Sequence, residues 1–271
     1  MNNPIGIFDS GVGGLTVFDA IRRKLPAQDI VYFGDTARVP YGSKSQSTII
    51  RYSFENASFL VRQNIKLLIV ACNTSSAYAL YELKKKFDLP IIGVIEPGAR
   101  KAVEITKNRR IGIIGTEGTI KSGAYEKAIK RLNENCEIFC KPTPLFVPLV
   151  EENWIEHSVT KQVIEEYLKD LMNSDIDTLI LGCTHYPVLK NMIREVIGNE
   201  ITLVDSAESV AEEIMRIHLF ENYEKSNSKA KYQFFVSDNP QKFEVLGRRI
   251  LNLDLEDVEM VYFAEMWVKG R

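Results

Sequence analysis

The sequence predicts an α/β protein of two pseudo-symmetric, doubly wound domains with mainly parallel sheets. Short apolar runs rich in β-branched residues alternate with amphipathic stretches of helical length, which is typical of parallel strands joined by helices. Three strand-and-loop units also recur in the same order along the chain. At 271 residues the chain is long enough for two medium domains. We therefore expect a functional site in the cleft between the two halves.

The repeated units set the two halves in register, with offsets of 106, 111 and about 110 residues. The pairs are 5–11 with 111–118, 67–74 with 178–185, and 90–96 with 200–206. One such match would mean little, but three in order indicate two similarly folded halves. Ligands of open α/β sheets bind at the carboxyl ends of the strands. Halves that face each other therefore place their equivalent strand-end loops around one cleft.

Each predicted strand is an apolar run that stops abruptly, and each helix is the amphipathic stretch that follows it. The first series has strands 5–8, 29–33, 66–71 and 90–95 with helices 14–24, 46–63, 75–87 and 97–106. The second has strands 110–114, 136–140, 177–182 and 201–204 with helices 119–133, 158–172, 187–197 and 206–220. After a polar stretch at 221–229 come strand 231–236, helix 239–251 and strand 258–263.

The last three elements have no counterpart in the other half, so we expect them to return to the first domain. The predicted first domain is therefore 1–97 plus 207–271, and the second is 98–206.

Composition excludes several classes of function. The chain has 34 basic and 36 acidic residues and a formal charge of −2, so neither a nucleic acid nor a membrane partner is expected. An apolar run of spanning length and a signal-peptide pattern are both missing, which predicts a cytoplasmic protein with reduced thiols. Cys136 and Cys140 are expected to be small core residues, because no second Cys or His pair lies near them to complete a metal site.

The other two cysteines, Cys72 and Cys183, end equivalent strands and are followed by polar residues. Three kinds of chemistry use such thiols. A dithiol redox couple would be expected to show Cys-x-x-Cys spacing, which is missing, and acyl transfer needs only one cysteine. Stereoinversion needs two, because a thiolate removes a proton from carbon and a thiol on the opposite face returns one. A two-domain amino-acid-binding protein without turnover is a further alternative.

Two more features lie at strand ends. The glycine-rich loop at 9–14 can present backbone N–H groups, but it fits neither a Walker A loop nor a dinucleotide fingerprint. His185 stands two residues after Cys183, where an imidazole can orient a thiol or lower its pKa. Because the loop at 9–14 fits no nucleotide-binding motif, and Cys136 and Cys140 lack further metal ligands nearby, no cofactor and no metal ion are expected.

Four motifs together resemble the glutamate racemases, of the cofactor-independent aspartate/glutamate racemase superfamily. The motifs are FDSGVGGL at 8–15, GDT at 34–36 with PYG at 40–42, ACNT at 71–74, and GCTHYP at 182–187. The resemblance covers essentially the whole chain. It implies that the enzyme interconverts L- and D-glutamate and supplies D-glutamate for peptidoglycan synthesis, cell-wall biogenesis and cell shape. It also implies a cytoplasmic homodimer that works without pyridoxal phosphate or another cofactor. Aspartate racemase is the nearest alternative.

The resemblance also implies roles for individual residues. Cys72 and Cys183 match the acid/base pair, and Asp9 and His185 match the residues that assist it. The substrate-binding positions match Asp9, Ser10, Tyr41, Gly42, Asn73, Thr74, Thr184 and His185. A further glutamate of the family falls on Glu151, although Glu152 stands beside it.

Overall fold

Two parallel sheets form the framework of the protein in the computed structural model, which describes residues 3–217, 230–252, 255 and 257–262. In chain order the strands are β1 (Ile5–Asp9), β2 (Ile30–Gly34), β3 (Leu67–Val70), β4 (Ile91–Gly93), β5 (Arg110–Gly115), β6 (Glu137–Pro142), β7 (Thr178–Gly182), β8 (Thr202–Asp205), β9 (Tyr232–Val236) and β10 (Val258–Met260). The first sheet has the order β10-β9-β2-β1-β3-β4, and the second has the order β6-β5-β7-β8. All pairings are parallel.

Helices connect the strands and cover the sheets. They are α1 (Leu15–Lys24), α2 (Gln46–Val61), α3 (Asn73–Tyr78), α4 (Leu80–Lys86), α5 (Ile95–Ile105), α6 (Glu117–Lys121), α7 (Ala124–Leu132), α8 (Phe146–Glu151), α9 (Ser158–Met172), α10 (Lys190–Ile197), α11 (Ser206–Ile214) and α12 (Pro240–Leu251). Short 3-10 turns lie at Thr36–Arg38, Tyr41–Ser43 and Tyr186–Leu189. None of the helices in the described part of the chain is long and apolar enough to cross a membrane.

The central strands are buried on both faces, which explains why they are continuous apolar runs rather than alternating ones. The largest apolar core is continuous from the first sheet to the second. It includes Ile7 of β1 and Ile113 of β5, joined through Ala102 of α5 and Val210 of α11. Separate apolar clusters cover the other face of each sheet. The two halves thus share one core behind the strand ends.

The predicted α/β class with two parallel sheets is confirmed. The strands predicted at 231–236 and 258–263 do return to the first sheet, where β9 pairs with β2 and β10 with β9. The proposed domain boundaries fall within α5 and at the start of α11, and the domain assignment stays a prediction. Residues 218–229 and 263, which complete three of the predicted segments, lie outside the described residues.

Several predicted helices were wrong in detail. The helix predicted at 75–87 is two helices, and the first begins at Asn73. The helix predicted at 119–133 is divided at Gly123, whose left-handed backbone (φ 62°) interrupts it. The helix predicted at 187–197 starts with a 3-10 turn. Helix α8 was not predicted; it carries Pro148 in its first turn, where proline is tolerated.

Candidate functional site

The carboxyl ends of β1, β3, β5 and β7 meet at one small cavity between the two sheets. Its interior leaves about 10 Å³ for the centres of water-sized molecules, which is room for about one water. The cavity is lined by Ser10, Pro40, Tyr41, Gly42, Cys72, Asn73, Thr74, Thr116, Val147, Cys183, Thr184 and His185. Two thiols that are 111 residues apart in sequence therefore line the same cavity.

Cys72 forms the first wall. It follows β3 and stands immediately before α3, with 5% of its surface exposed. Burial, together with the nearby Asp9 carboxyl and only partly offset by hydrogen bonding to Ser75, raises the pKa of its thiol to about 12. The Cys72 side chain is therefore a neutral thiol near neutral pH.

Cys183 forms the opposite wall and belongs to a chain of three polar groups. Its Sγ lies 3.8 Å from Nδ1 of His185, and Nε2 of that histidine lies 2.8 Å from Oε1 of Glu151. Burial lowers the pKa of His185, but the bonds to Cys183 and Glu151 outweigh it and hold that pKa well above its usual value. For Glu151 burial alone would raise the pKa, but the contact with His185 has the larger effect, and the pKa is lowered from its usual value. The arrangement favours an imidazolium between the sulfur and a carboxylate.

Asp9 is fully buried behind the cavity and does not line it. Its carboxyl accepts hydrogen bonds from the Gly11 N–H and from the Thr184 hydroxyl, both at 3.1 Å. Burial raises its pKa, against the lowering effects of His185 and these hydrogen bonds. Because Thr184 follows β7, this contact joins the end of β1 to the opposite wall.

The remaining residues that the resemblance assigned to the substrate all line the cavity. The Tyr41 hydroxyl donates to Asp35 and accepts from Asn56 Nδ2 of α2 at 3.0 Å, so it is already engaged by protein partners. Gly42 lies so close to the other wall that a Cβ atom there would be 2.4 Å from Cβ of Thr116. A side chain at this position would hold the walls apart.

Asn73 and Thr74 occupy the first turn of α3. The Asn73 amide oxygen accepts a hydrogen bond from Tyr125 at 2.7 Å, whereas its Nδ2 is buried without a protein partner. The Thr74 hydroxyl lies 2.9 Å from that of Thr116 and 3.1 Å from that of Thr119. These hydroxyl and amide groups are of the kind that can hydrogen-bond a small polar molecule.

Of the two adjacent glutamates, Glu151 contacts the site, through its bond to His185, although it does not itself line the cavity. Glu152 points outward, with its side chain 70% exposed, and pairs with Lys242 at 3.2 Å. Three further residues line the cavity without having been predicted as site residues: Pro40, Thr116 and Val147. Thr116 had a usable signal, because the 106-residue repeat places it opposite Ser10.

Metal ligands are not grouped in this region. Within residues 3–217, 230–252, 255 and 257–262, no three His, Cys, Asp or Glu side chains are placed to hold a metal ion. Cys136 is buried in the main core and Cys140 packs against it, as expected. The cavity therefore offers two thiols, an imidazole–carboxylate pair and several hydrogen-bond donors.

Known proteins share this arrangement of sequence and fold. The profile of the Asp/Glu/hydantoin racemase family matches residues 5–214. The glutamate racemase of Geobacter metallireducens is 53% identical over 258 residues, covering 95% of this chain and 96% of that protein. The glutamate racemase of Chlorobaculum tepidum is 51% identical over 264 residues and covers 96% of each chain.

Solved structures agree. A glutamate racemase isoform from Bacillus anthracis superimposes with a TM-score of 0.91 at 40% identity, covering 96% of this chain and 97% of that one. The Francisella tularensis glutamate racemase in complex with D-glutamate gives a TM-score of 0.90 at 35% identity, covering 97% and 99%. With a family profile over residues 5–214 and relatives matched along almost their whole length, the chain belongs to the Asp/Glu/hydantoin racemase family and is an amino-acid racemase.

Proposed function

We propose that this enzyme racemises glutamate by two-base proton transfer, with Cys72 and Cys183 on opposite sides of the α-carbon. The observation that carries the proposal is that two buried thiols, delivered by equivalent strand ends of the two halves, line one cavity. A substrate held between them presents its α-hydrogen to one sulfur and the opposite face of the carbon to the other.

The environments of the two thiols support complementary roles. The His185 imidazolium, held by Glu151, stabilises a thiolate at Cys183. Cys72 is neutral and carries the proton that is needed on the other face. The Cys183 thiolate takes the α-proton, the C–H electron pair remains on carbon, and the Cys72 thiol protonates the opposite face. In the reverse direction the sulfurs exchange roles.

After one turnover Cys72 is a thiolate and Cys183 is a thiol, so each wall has to accommodate both states. We assign Asp9 and His185 to this adjustment. Asp9 lies close enough to raise the Cys72 pKa, and His185 contacts Cys183 directly. An anion beside a thiol favours its protonated state and a cation favours the thiolate, so Asp9 and His185 bias their thiols in opposite senses.

The carbanion has to be stabilised by the site itself. The unpaired Nδ2 of Asn73 and the hydroxyls of Ser10, Thr74 and Thr184 line the cavity, where they bind and orient the amino acid. Fixed donors in a space that excludes water stabilise developing negative charge more strongly than water does. Because the cavity has room for about one water, the walls have to separate to admit a substrate.

Glutamate is the proposed substrate on the strength of the relatives, which are glutamate racemases at about half identity. We further propose that the enzyme supplies D-glutamate for peptidoglycan synthesis in the cytoplasm and works as a homodimer. The two halves that close over the substrate would be residues 1–97 plus 207–271 and residues 98–206.

The test is incubation with L-glutamate and, separately, L-aspartate in deuterium oxide, following optical rotation and α-deuterium. We expect glutamate to lose its rotation and gain deuterium, without added pyridoxal phosphate, nicotinamide cofactor or metal. Faster conversion of aspartate than of glutamate would mean that aspartate, and not glutamate, is the substrate. Loss of activity after dialysis against a chelator, restored by metal, would contradict the cofactor-free chemistry.

A further inference from the structure

Tyr125 on α7 does not line the cavity, yet its hydroxyl reaches a residue that does. The hydroxyl donates to Oδ1 of Asn73 at 2.7 Å, and the tyrosine is only 3% exposed. Helix α7 follows β5 of the second sheet, whereas Asn73 follows β3 of the first. This hydrogen bond therefore crosses from one wall of the site to the other.

The Asn73 amide has two ends of opposite polarity, and only one of them has a partner. Oδ1 accepts from Tyr125, while Nδ2 is buried and unpaired in a residue that is 2% exposed and lines the cavity. A buried donor without a partner is unfavourable unless a ligand supplies the acceptor. Turning the amide by 180° would exchange the NH₂ group for an oxygen, which would repel a carboxylate.

The surroundings of Tyr125 fix its ring and its proton. Burial raises the pKa of its hydroxyl, so the group keeps the hydrogen that it donates to Oδ1 of Asn73. The ring lies between two glycines: a Cβ atom on Gly98 would be 3.3 Å from the hydroxyl, and one on Gly182 would be 3.3 Å from Cε2. Gly182 immediately precedes Cys183, so the same ring packs against the base of the second thiol loop.

We propose that Tyr125 is a positioning residue, which fixes the Asn73 amide with Nδ2 directed at a carboxylate of the amino-acid substrate. The proposal rests on the proposed function of the site and adds a residue to it. Tyr125 itself does not touch the substrate. Its hydroxyl selects one of the two amide orientations and so makes the site complementary to an anion.

Tyr125→Phe tests this, because it removes only the hydroxyl. Without the bond the amide samples both orientations, and binding weakens for both enantiomers. We expect KM for L- and D-glutamate to rise about tenfold, with kcat changed less than about threefold, since ground state and transition state lose the same contact. An unchanged KM, or a loss confined to kcat, would overturn the proposal.

A double-mutant cycle with Asn73→Ala separates positioning from general damage. Adding Tyr125→Phe to Asn73→Ala should raise KM no further, because the amide is already gone. A further tenfold rise in that background would mean that Tyr125 acts independently of Asn73, which would also overturn the proposal.

If Tyr125→Phe fails to fold, Gly98→Ala applies the same test with the hydroxyl retained. The added methyl would lie 3.3 Å from the hydroxyl and press the ring aside by a few tenths of an ångström. We expect KM to rise by about threefold, again only when Asn73 is present; no change in KM would count against the proposal. A wild-type enzyme that does not racemise glutamate would refute the proposed function instead. The two failures are therefore distinguishable.

Discussion

Replacing Glu151 with glutamine isolates the charge that holds His185 beside Cys183. The substitution keeps an acceptor 2.8 Å from Nε2 but removes the carboxylate. A hydrogen bond to a charged group contributes about 1.5–3 kcal/mol and a neutral one about 1 kcal/mol. The side chains of His185 and Glu151 are only 2% and 17% exposed, so the loss should lie towards the upper end of the difference. We expect kcat/KM to fall about 10- to 30-fold.

The assay is circular dichroism starting from each enantiomer across a range of pH. L- and D-glutamate have equal free energies, so kcat/KM has to fall by the same factor in both directions. Because Glu151 raises the pKa of His185, the variant should lose the imidazolium at lower pH. The alkaline decline in activity that reports this proton should therefore move to lower pH.

Glu152→Gln is the matched control, because it makes the same chemical change one residue away on an exposed side chain that pairs with Lys242. Its kcat/KM should change less than about twofold, as for other exposed ion pairs. If Glu151→Gln behaved like this control in both rate and pH profile, the imidazolium would not be sustained by Glu151, and the reasoning would be refuted.

The remaining predictions concern the thiols, Asp9, Gly42 and the stability of the buried pair. Cys72→Ser and Cys183→Ser should each reduce racemisation by far more than about 10²-fold. Each variant enzyme should still eliminate halide from one enantiomer of a halogenated glutamate, and the two variants should prefer opposite enantiomers. The same preference in both would contradict the opposite-face assignment. Asp9→Asn and His185→Asn should lower kcat more than they raise KM, whereas equal KM increases with unchanged kcat would make them simple binding residues. Gly42→Ala should reduce kcat/KM at least about tenfold, because its Cβ would meet Thr116 at 2.4 Å and misplacement of a closed site is costly; unaltered kinetics would show that the walls need not approach so closely. His185 has a raised pKa, so its contribution to stability is complete below its unfolded pKa and is lost as pH rises through its folded pKa. Glu151 has a lowered pKa, so its contribution is complete above its unfolded pKa and is lost as pH falls. The Tm difference between wild type and Glu151→Gln should therefore be largest between about pH 4.3 and 6.5 and smaller at pH 9.

Strand ends were predictable from the sequence because parallel strands in this fold are buried on both faces. The runs that precede Cys72 and Cys183 are apolar without alternation, and each stops at a polar residue, so both thiols were placed correctly at strand ends. The repeat along the sequence then predicted that both thiols lie in one cleft. Thr116 lay in the same register and was overlooked because it is not part of a recognised motif.

Contacts that depend on tertiary packing were not predictable. Glu151 and Glu152 are identical in chemistry and adjacent, and only the geometry of α8 turns one inward to His185. Tyr125 lies on an ordinary amphipathic helix, and its hydroxyl reaches Asn73 only because the strand ends of the two sheets meet at one cavity. Local sequence carries no information about such pairs, since the partners are 34 and 52 residues apart.

The apolar core that runs without interruption from β1 through α5 and α11 to β5 has a mechanical consequence. Complete separation of the two halves would expose this apolar surface to water, at a free-energy cost of about 25 cal/mol for each Å². We therefore expect the core to resist large separations of the two halves and to act as a pivot behind the strand ends. A change in its side-chain volume should then alter how widely and how often the thiols part.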